Sequence, residues 1–160
     1  MQDSQKLIER FYYCFQQKDW EGMQECYHPE VIFSDPVFRN LKGKQAKAMW
    51  HMLTAAGKDL TVSFQHVKSD GASGSCDWEA WYTFSRSGRK VHNRIHAKFE
   101  FSDGKIIKHT DSFNLWRWSS MALGLAGILL GWSPLIQMKI RNTAKTNLHQ
   151  FILQHPEYST

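Results

Sequence analysis

Cysteine is scarce in this chain. Cys14, Cys26 and Cys76 are odd in number, far apart and without a Cys-x-x-Cys pair. A disulfide framework and a zinc ribbon are therefore excluded as organising devices, and reduced thiols are expected. No export leader is expected either. Met1-Gln2-Asp3-Ser4 carries neither the basic nor the apolar stretch of a signal peptide, so a cytoplasmic location is expected. No internal repeat and no low-complexity tract occurs. Charge is absent from Trp118 to Met138, which is long enough to cross a bilayer. Gly124, Gly127, Gly131 and Pro134 interrupt that run, and Gly131-Trp132-Ser133-Pro134 reads as a break between two helices. Two buried helices and no membrane span are expected.

What is present describes one packed domain. The 160 residues are 42% hydrophobic and 14% aromatic, which excludes disorder. A chain of this length buries about two thirds of its unfolded surface. The net charge of +5 is spread widely, with local density at Lys42, Lys44 and Lys47 and again at Lys139, Arg141 and Lys145. Such spread serves solubility and mild attraction for anions.

Periodicity divides the chain in two. Apolar residues at Leu7, Ile8, Phe11, Tyr12, Cys14 and Phe15 follow a helical period over residues 4–17, and a shorter helix fits 20–27. The alternating run Val31-Ile32-Phe33-Ser34-Asp35-Pro36 reads as a strand, and Gly43 precedes a third helix over 44–56. From Leu60 onward, alternating runs over 60–67, 75–85, 91–101 and 105–115 are separated by short Gly-containing turns, the pattern of an antiparallel meander. The fold class expected is α+β: a cone-shaped, curved antiparallel sheet wrapped around the N-terminal helices. Residues 1–116 make the cone, and 117–160 make a C-terminal helical extension packed on it or on a dimer partner.

Asp35 is the first candidate for chemistry. Strand alternation places it on the inner face with Val31 and Phe33, and Pro36 stiffens its backbone. A carboxylate aimed inward is costly unless it is bonded, neutralised or used. The competing reading is an Asp before Pro that opens a turn.

These residues resemble the nuclear transport factor 2-like superfamily, which includes SnoaL-like polyketide cyclases, ketosteroid isomerases and limonene epoxide hydrolase. The likeness runs through Ile8-Glu9-Arg10-Phe11-Tyr12, Lys18-Asp19-Trp20, Tyr27-His28-Pro29-Glu30-Val31 and Phe33-Ser34-Asp35-Pro36. It continues through Phe99-Glu100-Phe101-Ser102-Asp103-Gly104-Lys105-Ile106 and His109-Thr110-Asp111-Ser112-Phe113. Membership does not supply an activity, because one fold hosts enzymes and binding modules alike. The ketosteroid isomerase comparison puts Asp35 on that family's general base. Its oxyanion tyrosine falls on Phe11 and its second acid on Ala97, neither of which donates a hydrogen bond. Losing one such donor costs ~100- to 1000-fold in rate, so steroid isomerisation by that route is not expected. Tyr12, about 100° further round the helix, is not expected to substitute. The epoxide hydrolase comparison matches Asp111 to one catalytic carboxylate, but its Arg and second Asp fall near Trp78 and Ala80. In SnoaL-like cyclases an acid on the last strand does acid/base work, and Asp111 fits that place.

The catalytic candidates are therefore Asp35, His109 and Asp111, with Asp35 or Asp111 as general base and His109 as proton partner. Two carboxylates and a histidine in low dielectric shift one another's titration. The expected ligand-binding walls are Phe11, Phe15, Trp50, Trp78, Tyr82, Asn93 and Phe113, an aromatic cavity with a few polar groups. The partner expected is a small hydrophobic, carbonyl-bearing molecule, with no cofactor and no metal. A non-catalytic ligand-binding or dimerisation module is the alternative. A homodimer through the outward sheet face is expected, with Trp81 and Trp116 turned away from the cavity. His92, Arg94, His96 and Lys98 share that outward face, and it is expected to be solvated or dimer-facing, with no nucleic acid bound.

Overall fold

The computed structural model describes residues 2–160. The N-terminal half builds the filling of the fold. Helix α1 (Gln2–Gln16) buries Ile8, Phe11, Tyr12 and Phe15, the i, i+3, i+4, i+7 face of a packed helix. After α2 (Trp20–Glu25), whose N-cap Asp19 side chain accepts from the Gly22 amide, the chain enters β1 (Tyr27–Ser34) and the short β2 (Leu41–Lys42). Helix α3 (Lys44–Ala56) then buries Met49 and Trp50. It starts at Gly43, where φ is +50° and a Cβ would stand 2.7 Å from the Pro29 carbonyl oxygen, so only glycine fits that corner.

Four longer strands follow: β3 (Thr61–Ser69), β4 (Ser73–Phe84), β5 (Arg89–Ser102) and β6 (Lys105–Ser112). Asp103 and Gly104 take φ of 52° and 70°, the left-handed pair that closes a tight β5–β6 hairpin. The six-stranded sheet has the order β2-β1-β6-β5-β4-β3. It is curved but stays open, with β2 and β3 as its edges. All neighbours are antiparallel except β1 and β6, which run parallel. This is a departure from the expected antiparallel sheet: β1, formed before α3, lies beside β6, the last strand.

Helix α4 (Leu115–Leu123), α5 (Leu125–Leu130) and α6 (Pro134–Gln154) complete the chain, with a 3-10 turn at Pro156–Tyr158. Two helices were expected in this region and three form. Gly124, at φ +65°, ends α4 and α5 intervenes before the predicted break, while Ser133 caps α6 and Pro134 takes its first turn, as the Gly-Trp-Ser-Pro sequence predicts. Trp116, expected on the last strand, lies in α4. Helix α4 packs on β5 and α6 on α3. No helix of the described residues is long and apolar enough to cross a membrane.

Candidate active site

The sheet places the inward residues of β5 and β6 in register: Ala97 faces Asp111, and Phe99 faces His109. His109 is fully buried and Asp111 is 4% exposed. His109 Nε2 lies 2.9 Å from Asp111 Oδ1, and its Nδ1 lies 2.7 Å from the Tyr27 hydroxyl. Two indoles close the ends of this chain. Trp50 Nε1 donates to Tyr27 Oη at 2.7 Å, and Trp78 Nε1 donates to Asp111 Oδ1 at 3.3 Å.

Indole N–H groups only donate. The Asp111 carboxylate only accepts, so His109 Nε2 donates to it; in the neutral imidazole Nδ1 then accepts, and the Tyr27 hydroxyl, itself accepting from Trp50, donates to Nδ1. Burial, with a smaller contribution from the Asp111 charge, pushes Tyr27 well above its ordinary titration range against the opposing pull of Trp50. Tyr27 therefore keeps the proton it donates. The second oxygen of Asp111 has no hydrogen-bond partner among the described residues and is left to the small opening that keeps this residue accessible.

Asp35 realises both readings of its sequence. Its Oδ1 accepts from the amides of Val37 at 2.7 Å and Phe38 at 2.6 Å, the turn that an Asp-Pro pair favours. It also follows Val31 and Phe33 toward the interior and is only part-exposed. Crowding by surrounding atoms pushes its carboxyl from 3.8 up to about 7; the two amide bonds oppose the rise and the Asp111 charge adds to it. Asp35 thus lies within electrostatic reach of Asp111. Tyr82 belongs to the same end of the cone: burial raises its titration and the Asp35 charge adds to the rise, while Trp118 of α4 donates to its hydroxyl at 2.7 Å.

The seven predicted wall residues separate into two groups. Phe11, Phe15, Trp50 and Trp78 pack on one another, with Phe15 centred 5.2 Å from Trp50 and 5.4 Å from Trp78, and Phe11 5.5 Å from Trp50. They are 0–8% exposed and form core around the His109 ring. Tyr82, Asn93 and Phe113 lie nearer the surface end; Asn93 is buried on β5 and the other two are part-exposed. A depression of about 390 Å³ is lined by Tyr82, Val91 and Met121 of α4 together with Asp59, Lys90 and the outward-facing Trp81 and His92, so it opens at the sheet surface and not onto Asp35 or Asp111.

Two residues of the site were absent from the predicted set. Tyr27 has the inward phase of Val31 and Phe33, a signal that alternation alone carries. Tyr12 is fully buried, and its hydroxyl is the one enclosed side-chain polar atom without a partner among the described residues. Burial and the Asp111 charge raise its titration. It reaches the interior despite its angular offset from Phe11 because the curved sheet brings Phe64, Trp78 and Phe99 around it.

Among the described residues, one group of metal-capable side chains converges: His51 of α3 with His155 and Glu157, whose donor atoms lie within 4.8 Å of one another. His51 is committed elsewhere, stacking on Trp20 and meeting the Tyr158 hydroxyl at 2.9 Å. Burial and the neighbouring His155 lower its titration. The cluster pins the C-terminal turn to α3.

On the outward face, the basic stripe is paired with acids across the ladder. His96 and His66 meet Asp77, while His92 and Arg94 meet Glu79. Lys98, the fourth residue of the stripe, has no acidic partner among the described ion pairs.

A family profile for the SnoaL-like domain matches residues 8–109. No curated protein matches the sequence. Solved structures with the same fold include IdmH, a candidate polyketide cyclase from Streptomyces antibioticus, at 19% identity and a TM-score of 0.64, covering 78% of this chain and all of that one. An LEH-like epoxide hydrolase from M. tuberculosis is 16% identical with a TM-score of 0.60, covering 84% of this chain and 96% of that one. TerC, co-crystallised with polyporic acid, is 17% identical with a TM-score of 0.62, covering 72% and 95%.

Proposed function

The chain belongs to the SnoaL-like domain family, and from that premise we propose that it performs cofactor-independent acid/base chemistry on a small hydrophobic, carbonyl-bearing molecule. Asp35 is the general base or acid, and Asp111, oriented by His109 and Tyr27, is its partner. The observation that carries this reading is the buried chain Trp50–Tyr27–His109–Asp111–Trp78, which leaves one carboxylate oxygen free within electrostatic reach of Asp35. A carboxyl titrating near neutrality exchanges protons with carbon acids efficiently, because both of its forms are populated at working pH. An Asp111 held by two donors keeps a fixed orientation toward the reacting group.

A direct test is exchange of α-protons for solvent deuterium in a set of ketones and β-dicarbonyls, followed by NMR. The wild type is expected to promote exchange for part of the set. Asp35→Asn and Asp111→Asn, folded by circular dichroism, are expected to lose it. Exchange equal in all three proteins would overturn the assignment.

The packed state of Phe11, Phe15, Trp50 and Trp78 favours a second reading, a binding module that holds its ligand at the Tyr82 end without turnover. Ligand bound equally by wild type and both Asn variants, with no product formed, is the outcome specific to it. We also propose a homodimer through the outward sheet face, where Trp81 is 37% exposed and stacked on His92 at 4.6 Å. Sedimentation of a monomer at micromolar concentration would remove that part.

A further inference from the structure

The C-terminal extension exposes apolar surface on a scale the cone does not. Leu135 is 77% exposed, Leu125 71%, Trp132 60%, Leu129 59%, Met138 55% and Trp116 47%. These residues follow one another in the chain along α4, α5 and the first turns of α6, with α4 and α5 packed together. Their display is built into the backbone. Gly127 is the buried residue of α5, and a Cβ there would stand 1.9 Å from the Ser119 carbonyl oxygen. Helix α5 therefore lies against α4 on its glycine, which turns the leucines outward. The indoles of Trp116 and Trp132 donate to the carbonyls of Ile128 and Leu129 at 3.1 and 2.9 Å, so their polar edges are satisfied and their apolar rings remain.

Charge on the extension is one-sided. From Ser112 to Pro156 there is no acidic residue, while Arg117, Lys139, Arg141 and Lys145 fall within it. Most of the net +5 of the chain resides there. Arg117 follows Trp116 and Lys139 follows Met138, and Arg89 of β5 reaches in to donate to the Met121 carbonyl at 2.9 Å. Cations thus neighbour the exposed apolar residues in sequence, with no acid among them.

We propose that α4, α5 and the start of α6 form a docking surface for an anionic lipid bilayer, with α5 lying in the interface. An apolar face edged by tryptophan and by Arg and Lys matches the layering of a membrane surface, where apolar side chains enter the acyl boundary and cations meet the headgroups. A second copy of the same face offers cations against cations with no acid to pair them. On the outward sheet face, by contrast, Asp77 and Glu79 stand among the basic residues and pair with His66, His92, Arg94 and His96.

The docked surface adjoins the candidate site. Trp118 of α4 holds the Tyr82 hydroxyl, and Arg141 of α6 donates to the Pro36 carbonyl, next to Asp35, at 2.9 Å. Docking would present that end of the cone to the bilayer and admit a substrate that partitions into lipid. This consequence rests on the acid/base reading; the docking does not.

The test is co-sedimentation of the full chain with vesicles of phosphatidylcholine alone and of phosphatidylcholine mixed with phosphatidylglycerol. Binding to the mixed vesicles is expected, weakened by salt, weakened roughly fivefold by Lys139→Gln, and lost in Leu129→Asp/Leu135→Asp, whose folding is checked by thermal melting. Asp35→Asn is expected to bind as wild type does, so failure of the chemistry and failure of docking read out separately. A folded wild type that stays in the supernatant with both vesicles overturns the proposal. So does mixed-vesicle binding that survives the double Asp substitution. A self-association abolished by Leu135→Asp, without vesicle binding, would assign the face to a second copy instead.

Discussion

The Tyr27 hydroxyl donates to His109 Nδ1 at 2.7 Å, joining the first strand of the sheet to the last. The contact spans 82 residues of sequence and forms because β1 and β6 lie side by side and parallel. Through it Tyr27 is linked by way of His109 to Asp111. Replacing Tyr27 with Phe strands two buried groups, Trp50 Nε1 and His109 Nδ1. Each stranded group costs about 1–3 kcal/mol. Denaturant unfolding should show Tyr27→Phe destabilised by at least that amount, and a change within about 0.5 kcal/mol, typical of surface substitutions, would mean the chain of bonds is not formed.

Asp35 predicts a pH dependence of stability. Its carboxyl is raised from 3.8 to about 7 in the fold, so the native state holds that proton more tightly than the unfolded chain. The contribution is full below pH 3.8, falls as pH rises through the interval, and is gone above about 7. Asp35→Asn keeps an amide oxygen to accept from Val37 and Phe38 but carries no charge. Thermal melts between pH 4 and 8 should show the variant gaining on the wild type as pH rises. Parallel curves would contradict the assignment.

Tyr12 supplies a prediction of opposite sign. A sealed hydroxyl with no partner costs stability, and removing it from both states relieves that cost. Tyr12→Phe should unfold at a higher temperature than wild type, with a gain of about 1–3 kcal/mol. A loss of similar size would mean that the hydroxyl is used by a bound water or ligand.

Gly127→Ala tests the packing of the extension. The added methyl would meet backbone atoms of Ser119 and Ser120 at 1.9–2.8 Å, and backbone cannot rotate aside as a side chain does. Helix α5 should detach from α4, seen as rapid proteolysis within residues 115–135 while the sheet stays protected. Unchanged proteolysis would show that the close approach is not maintained.

Much of the architecture is legible in the sequence because it follows from short-range rules. Val31 and Phe33 alternate inward, Gly43 opens α3 at the residue expected, and Asp103-Gly104 turns the last hairpin. The parallel pairing of β1 with β6 is a long-range choice that no local period encodes. The candidate site divides along the same line. His109 and Asp111 fall together because they are two residues apart on one strand, and strand geometry guarantees a shared face. Tyr27 joins them only through sheet order. The aromatic walls were expected to enclose space because their inward phase is readable, but phase does not reveal volume. Phe15, Trp50 and Trp78 are large enough to meet across the cone, and so they fill its inner end.

The account depends on Asp35 and Asp111 sensing each other inside the fold. A carbon-13 NMR titration of the Asp35 carboxyl, in wild type and in Asp111→Asn, measures that directly. The expected result is a midpoint near 7 in the wild type and a lower one in the variant, because the Asp111 charge contributes to the rise. A midpoint near the ordinary ~4 in both proteins would contradict it.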